Sequence, residues 1–368
     1  EQFSLTDIKK KNSVRRISLY IYESILLKQD IATALSVSLP TVSQHLTTLE
    51  SEQLIGKIGR LSSSVGRRAN AYQIISDAKN RNRLENSAHT THILSINLYG
   101  KMIAKETLPV SFEASAAYFS KFKKSGQKLL PDQHHKAESI LGIGLGVQGL
   151  ISPDGSELTY GKILDCTGMS IDLFSDAFHV PCKFVHDAEC ACTSELWENP
   201  DITDATYISL GYHLGGAIIV DGQLLTGATG KIGTFEHMTL VPNGRTATAD
   251  AKDVPNVTVP VIRYFPIVII WMNFFARKAT GDPSCLAKWD EYLRHLSILI
   301  NNLHMVLEHT VILGGHVTPY FTEEDMEYIR SCVAERSTFD DDTSYIIPGK
   351  LRTDTVATGA ALPFIKDF

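Results

Sequence analysis

The stretch that most narrows what this chain can fold into is residues 28–72, KQDIATALSVSLPTVSQHLTTLESEQLIGKIGRLSSSVGRRANAY. Ile31, Ala32 and Leu35 fall at helical spacing over Gln29–Leu35. The run Ser36-Val37-Ser38 breaks that helix, and Leu39-Pro40 opens another, because proline at a helix start lacks only an N–H that would be orphaned anyway. Val42, Leu46 and Leu49 share one face of the second helix, leaving Thr41, Ser43, Gln44, His45 and Thr48 on the others. Short polar side chains on the first turns are what a reader of the DNA major groove needs, since they reach base edges without holding the helix away. A ribbon with Lys57, Arg60, Arg67 and Arg68 follows. Helix caps and polar surface resemble this residue by residue, but helix, turn, helix and basic ribbon in that order predict a winged helix-turn-helix. Thr41, Ser43, Gln44 and His45 are then the base-facing candidates, and Arg60, Arg67 and Arg68 the phosphate-facing ones.

Charge follows the same division. The net charge is −6, yet residues 1–83 hold 13 Lys/Arg against 7 Asp/Glu, so +6, while the remainder holds 22 against 34, so −12. A basic head on an acidic body suits a head that meets phosphate. The 368 residues allow two or three domains with their own cores. Six cysteines without a disulfide framework, and a start lacking an apolar run behind basic residues, make a cytoplasmic location the expectation. Residues 265–275, FPIVIIWMNFF, are too short to span a bilayer and read as a buried helix or a subunit interface, so no membrane partner is expected.

Residues 5–27 predict a first helix with an apolar stripe from Val14 to Ile25, its lysines either solvated or near the DNA backbone. The head is placed at 1–76, and the polar, aperiodic run that follows predicts a linker at 77–90. From residue 91 strands alternate with helices: a hairpin around Gly100, a helix over 111–127, the glycine-rich strand LGIGLGVQG, and the strand-to-helix run VPCKFVHDAECACTSELW. A second hairpin turns at Asp221-Gly222. A long amphipathic helix over 288–307, the strand TVILGGHV and a small-residue helix at ATGAALPF complete the body.

QDIA (29–32), SLPTVSQHL (38–46), Leu54-Ile55 and the wing VGRRANAY (65–72) resemble the DNA-binding domain of ROK-family transcriptional regulators of the xylose-repressor and N-acetylglucosamine-repressor type. Beyond residue 91, GIGLGVQG (142–149), HDAECA (186–191), LGYHLGGAIIVDGQLLTG (210–227), EHMTLVPNGR (236–245), GDPSCLAKWDEYL (281–293) and VILGGHV (311–317) resemble the same family's sugar-kinase-like domain. The resemblance implies an α/β chain: a winged helix-turn-helix, then a two-lobed, actin-like ROK domain over 91–368 whose C-terminal helix returns to the first lobe. It also implies a double-stranded DNA operator, a sugar effector and a homodimer or higher homo-oligomer.

Kinase chemistry is expected to be lost. In INLYGK (96–101) Asn97 stands where the family's phosphate loop has an aspartate, and Leu98 and Tyr99 replace small residues that let backbone amides approach phosphate. Tyr212 and His213 intrude on the second glycine turn. Phosphoryl transfer rests on positioning and charge, so losing the cradle is serious. Asp187 matches the family's catalytic base and is expected to be vestigial; a carboxylate there also caps a helix routinely. The sugar-binding set implied is His186, Asp187, Glu236, His237 and Gly168. Thr234 takes the place of the family's glutamate and Glu236 that of a glycine, so retained and lost sugar binding both stay open. The family's cysteine-rich zinc segment after PNGR reads TATADAKDVPNV here, and no metal or cofactor is expected. The lineage has dropped the segment, or it is missing from the chain. The reading is a sugar-responsive repressor, with two alternatives: an ATP-dependent sugar kinase with an accessory head, and a regulator that has lost its small-molecule ligand.

Overall fold

A computed structural model describes residues 26–51, 55–62, 68–74, 80–86, 91–96, 101–108, 115–128, 140–162, 165–211, 214–242, 256–257, 268–339, 342–350 and 354–366. The head contains strand β1 (Leu26–Leu27), helices α1 (Lys28–Leu35) and α2 (Leu39–Ser51), and strands β2 (Ile55–Ser62) and β3 (Arg68–Ile74). The three strands form one antiparallel sheet in the order β1-β3-β2. Of the helix expected over 5–27, residues 5–25 lie outside the described residues. Leu26 and Leu27 are strand instead, paired with Tyr72 and Ala71, a tertiary pairing that overrides local helical pattern. Ser36, left-handed at φ 53°, ends α1. The Oγ of Ser38 then accepts the N–H of Thr41 at 3.3 Å, satisfying an orphan donor in the first turn of α2.

Next come strands β4 (Asn80–Asn86), β5 (Thr91–Ile96) and β6 (Met102–Leu108), helix α3 (Ala116–Lys128) and strand β7 (Ile140–Val147). The short strands β8 (Leu150–Ile151), β9 (Glu157–Tyr160) and β10 (Met169–Ser170) precede helix α4 (Asp172–Phe178), strand β11 (Cys182–His186) and helix α5 (Asp187–Trp197). A five-stranded sheet runs β11-β7-β4-β5-β6. The linker expected at 77–90 therefore contains a strand, with Arg81 opposite Ile96 and Asn86 opposite Thr91. NRNRLEN carries no alternating apolar pattern, so its backbone partner, the apolar β5, decides its state.

The remaining elements are strands β12 (Ala205–Leu210), β13 (Leu214–Val220), β14 (Gln223–Leu224), β15 (Val241–Pro242) and β16 (Asn256–Val257), helices α6 (Val268–Ala279) and α7 (Pro283–Leu307), strand β17 (Thr310–Gly314), helix α8 (Glu323–Ala334), strand β18 (Ile346–Pro348) and helix α9 (Thr355–Lys366). The second large sheet runs β14-β13-β12-β17-β18, parallel across its last two pairings. Asp221 and Gly222 both take positive φ at the β13–β14 turn, as the expected tight hairpin requires.

The chain divides into two compact units. One takes the described residues up to Leu145 with Asp172–Lys183 and those from Ala361; the other takes Gly146–Ile171 and Phe184–Ala360. In the second unit Leu296, Leu299 and Ile300 of α7 pack with Ile208, Val311 and Leu313 of the sheet and with Ile329 of α8. Asp325 joins three helices there: it receives the Trp289 indole N–H at 2.7 Å and pairs with Lys278 at 3.2 Å. The segment expected to be a buried helix contributes α6, whose Phe274 and Phe275 are buried against Trp289. The small-residue pattern of α9 has its counterpart at Gly359, where any side chain would run into the backbone of Cys190. Among the described residues no helix is long and apolar enough to cross a membrane.

Candidate functional site

Two sets of polar residues stand out. The first is on α2, where Val42, His45, Leu46 and Leu49 are buried at 3% exposure or less. Pro40, Gln44, Thr47 and Ser51 lie on the opposite, exposed face. His45, expected to face DNA bases, is therefore on the inner face. Spacings of three and four from Val42 and Leu49 put it there, a periodicity visible in the sequence once the polar label is ignored. Thr41 and Ser43 are partly exposed. Thr41 shares a 2.8 Å bond with Ser38, and Ser43 accepts from the Lys28 ammonium at 3.3 Å; Lys28 was not singled out from sequence. Arg60 lies in β2, opposite Asn70, and Arg68 opens β3 opposite Ser62. Arg67 lies outside the described residues.

The second set gathers where β11 runs into α5. His186 ends the strand in extended conformation and Asp187 begins the helix, where the positive end of the helix dipole favours a carboxylate. Asp187 Oδ1 accepts the N–H of Ala188 at 2.7 Å and lies 3.4 Å from His186 Nδ1. From β13, Gly215 passes close by: a Cβ there would stand 3.8 Å from the imidazole of His186.

A short 3₁₀ turn over Phe235–His237 supplies the other half. Its placement depends on Gly216, where a Cβ would collide with the ring of Phe235, and on Gly233, whose φ of +88° an L side chain would strain. Glu236 Oε1 lies 3.7 Å from His237 Nε2. Its Oε2 is buried with no hydrogen-bond partner among the described residues. Burial pushes the carboxyl up to about 7; the Asp187 carboxylate adds to the shift, and the Glu236 N–H and the His186 imidazole oppose it. Thr234 donates its hydroxyl to the Lys231 carbonyl at 2.8 Å. Gly168 occupies a positive-φ turn before β10, its N–H bonded to the Leu158 carbonyl at 2.7 Å, and a Cβ there would meet nothing within 4 Å. These are acceptors and imidazoles suited to a polyhydroxylated ligand, with one buried acceptor left for a ligand hydroxyl to satisfy.

Residues 88–249 match the ROK family model. The chain carries a ROK-family domain. A xylose repressor from Caldicellulosiruptor bescii is 24% identical over 243 residues, which are 64% of this chain and 60% of that protein. A glucokinase from Halalkalibacterium halodurans is 30% identical over 115 residues, 30% of this chain and 35% of that enzyme. The chain thus spans less than two thirds of either relative. The crystal structure of a ROK family transcriptional regulator, a homologue of the E. coli MLC protein, aligns at a TM-score of 0.79 over 98% of this chain and 97% of its own, at 17% identity. The likeness is one of fold, helix-turn-helix head and actin-like ROK domain together.

The hydroxyl of Thr234 is turned to its own loop, while Glu236, two positions on, carries the carboxyl whose Oε2 is buried. Asn97, Leu98, Tyr99, Tyr212 and His213, on which the phosphate argument turns, lie outside the described residues, as does the segment 243–255 on which the zinc expectation turned. Among the described residues no group of three His, Cys, Asp or Glu is placed to hold a metal ion.

Proposed function

We propose that this protein is a DNA-binding transcriptional regulator, a repressor of sugar-utilisation genes, whose ROK domain binds a sugar effector without phosphorylating it. The observation that carries this reading is the likeness in fold to a ROK regulator over 98% of the chain, head included. In a homodimer two heads would meet two half-sites of a double-stranded operator. An effector held by His186, Asp187, Glu236 and His237 would then shift operator affinity by its differential affinity for the two arrangements of the heads. Kinase activity is unsupported by the residues at the phosphate loop. Asn97 lacks the charge, and Leu98 and Tyr99 the small size, that an approach of phosphate to backbone amides demands.

A sugar kinase is the second reading, favoured by the glucokinase relative and by a part-exposed carboxylate at Asp187. One experiment separates the two. Genomic fragments bound by the purified chain are selected with and without xylose, glucose and N-acetylglucosamine, and the same samples are assayed for sugar phosphate with ATP and magnesium. Discrete fragments released by one sugar, with no product formed, are expected. Turnover that disappears in Asp187→Ala would overturn the regulator reading.

A further inference from the structure

We propose that Gln44 reads an adenine in each half-site, so that one A·T pair per half-site depends on this residue; the inference rests on the regulator reading above. The outer face of α2 carries Pro40, Gln44, Thr47 and Ser51, while Val42, His45, Leu46 and Leu49 are turned inward. The hydroxyl protons along the helix are largely committed to the helix itself. Thr47 donates to the Ser43 carbonyl at 2.9 Å, Thr48 to the Gln44 carbonyl at 3.2 Å, and Ser51 to the Thr48 carbonyl at 2.7 Å. Near the start of α2, Ser38 and Thr41 bond each other at 2.8 Å, and Ser43 accepts from Lys28.

The Gln44 amide differs. It is exposed, and it makes no hydrogen bond to any described residue. An amide offers a donor and an acceptor side by side. In the major groove adenine presents the matching pair, an N7 acceptor beside an N6 donor; guanine presents two acceptors, cytosine a donor and thymine an acceptor beside a methyl. Of the four bases, adenine is the one a glutamine engages through both of its groups.

The test uses the full chain. Selected fragments give a binding motif for the wild type, for Gln44→Ala and for Gln44→Arg. Gln44→Ala is expected to flatten the motif at one A·T pair per half-site, and Gln44→Arg to move that position toward guanine. Replacing the adenine by 7-deazaadenine, which removes the N7 acceptor and keeps the base pair, is expected to weaken wild-type binding by roughly 5- to 150-fold and Gln44→Ala binding hardly at all. A wild-type motif that survives Gln44→Ala at every position would overturn the proposal while leaving the regulator reading intact. Equal binding of the wild type to all sequences would overturn both.

Discussion

Helix α2 and the His186–His237 cluster are built on opposite terms. On α2 the groups that keep the fold, Val42, His45, Leu46 and Leu49, are buried on one face, while Gln44 stands on the other with its amide open. In the ROK domain three of the four groups that would hold a ligand are themselves partly buried, His186 at 19% exposure, Asp187 at 28% and Glu236 at 22%, while His237 is exposed. A polar side chain on a solvated face can be exchanged without touching the core. A carboxyl set beside another carboxylate in a desolvated corner cannot, since its ionisation is already part of the folding free energy. Specificity should therefore be separable from stability in the head and entangled with it in the body.

The largest effect expected tests the head. Leu46→Ala should destabilise the head by about 2–5 kcal/mol, the usual cost of emptying a buried leucine site, and lower binding to operator and random DNA alike. Gln44→Ala should change stability by no more than about 0.5 kcal/mol while altering sequence preference. Hydrogen exchange of the α2 amides alongside binding assays checks both. Similar losses of protection in the two variants would show that the two faces are not independent. His45→Ala belongs with Leu46→Ala in this scheme, and lost DNA binding in that variant would be no evidence of a base contact.

Much of this contrast was legible in the sequence, and the gaps have physical causes. The order of strands and helices follows from apolar period and from glycines at turns, with Asp221-Gly222 the plainest case. The inward place of His45 runs against the expectation from its polarity and follows from its spacing from Val42 and Leu49. Strand β4 was not legible, since NRNRLEN has no amphipathic pattern and owes its conformation to a neighbour. Glu236 could be named from its place beside His237. Its burial could not, because that depends on Phe235 seating against Gly216 of a distant strand.

A middling effect is expected from Glu236→Gln. The carboxyl titrates at about 7 in the folded chain against an ordinary 4.5, chiefly through burial. An acid whose folded pKa is raised holds its proton longer in the native state than in the unfolded one. Native stability therefore falls as pH rises from about 4.5 to about 7, and the full penalty applies above that window. Removing the charge should stabilise the protein by about 1–3 kcal/mol at pH 8, with the advantage fading as pH is lowered toward 4.5. Thermal or urea unfolding of both proteins across that range checks the sign. A difference that does not vary with pH would mean this corner is as well solvated as the outer face of α2, and the comparison would lose one of its two sides.

The smallest effect concerns the wing. Arg68 opens β3 opposite Ser62, and Arg67 precedes it in sequence. If Arg68 meets a phosphate, it adds affinity without sequence information, and its loss shows in salt dependence rather than in the binding motif. Arg68→Ala is expected to lower the slope of log affinity against log salt by about 0.9, and Arg67→Ala with Arg68→Ala by twice that, with random and specific DNA weakened equally. Gln44→Ala should do the reverse, changing the motif and leaving the slope alone. The pair of variants thus divides the head into a part that positions and a part that specifies. A slope unchanged in Arg68→Ala would remove the wing from the positioning role. A loss confined to A·T-rich sites would instead place the arginine in the minor groove, where narrow A-tracts concentrate negative potential.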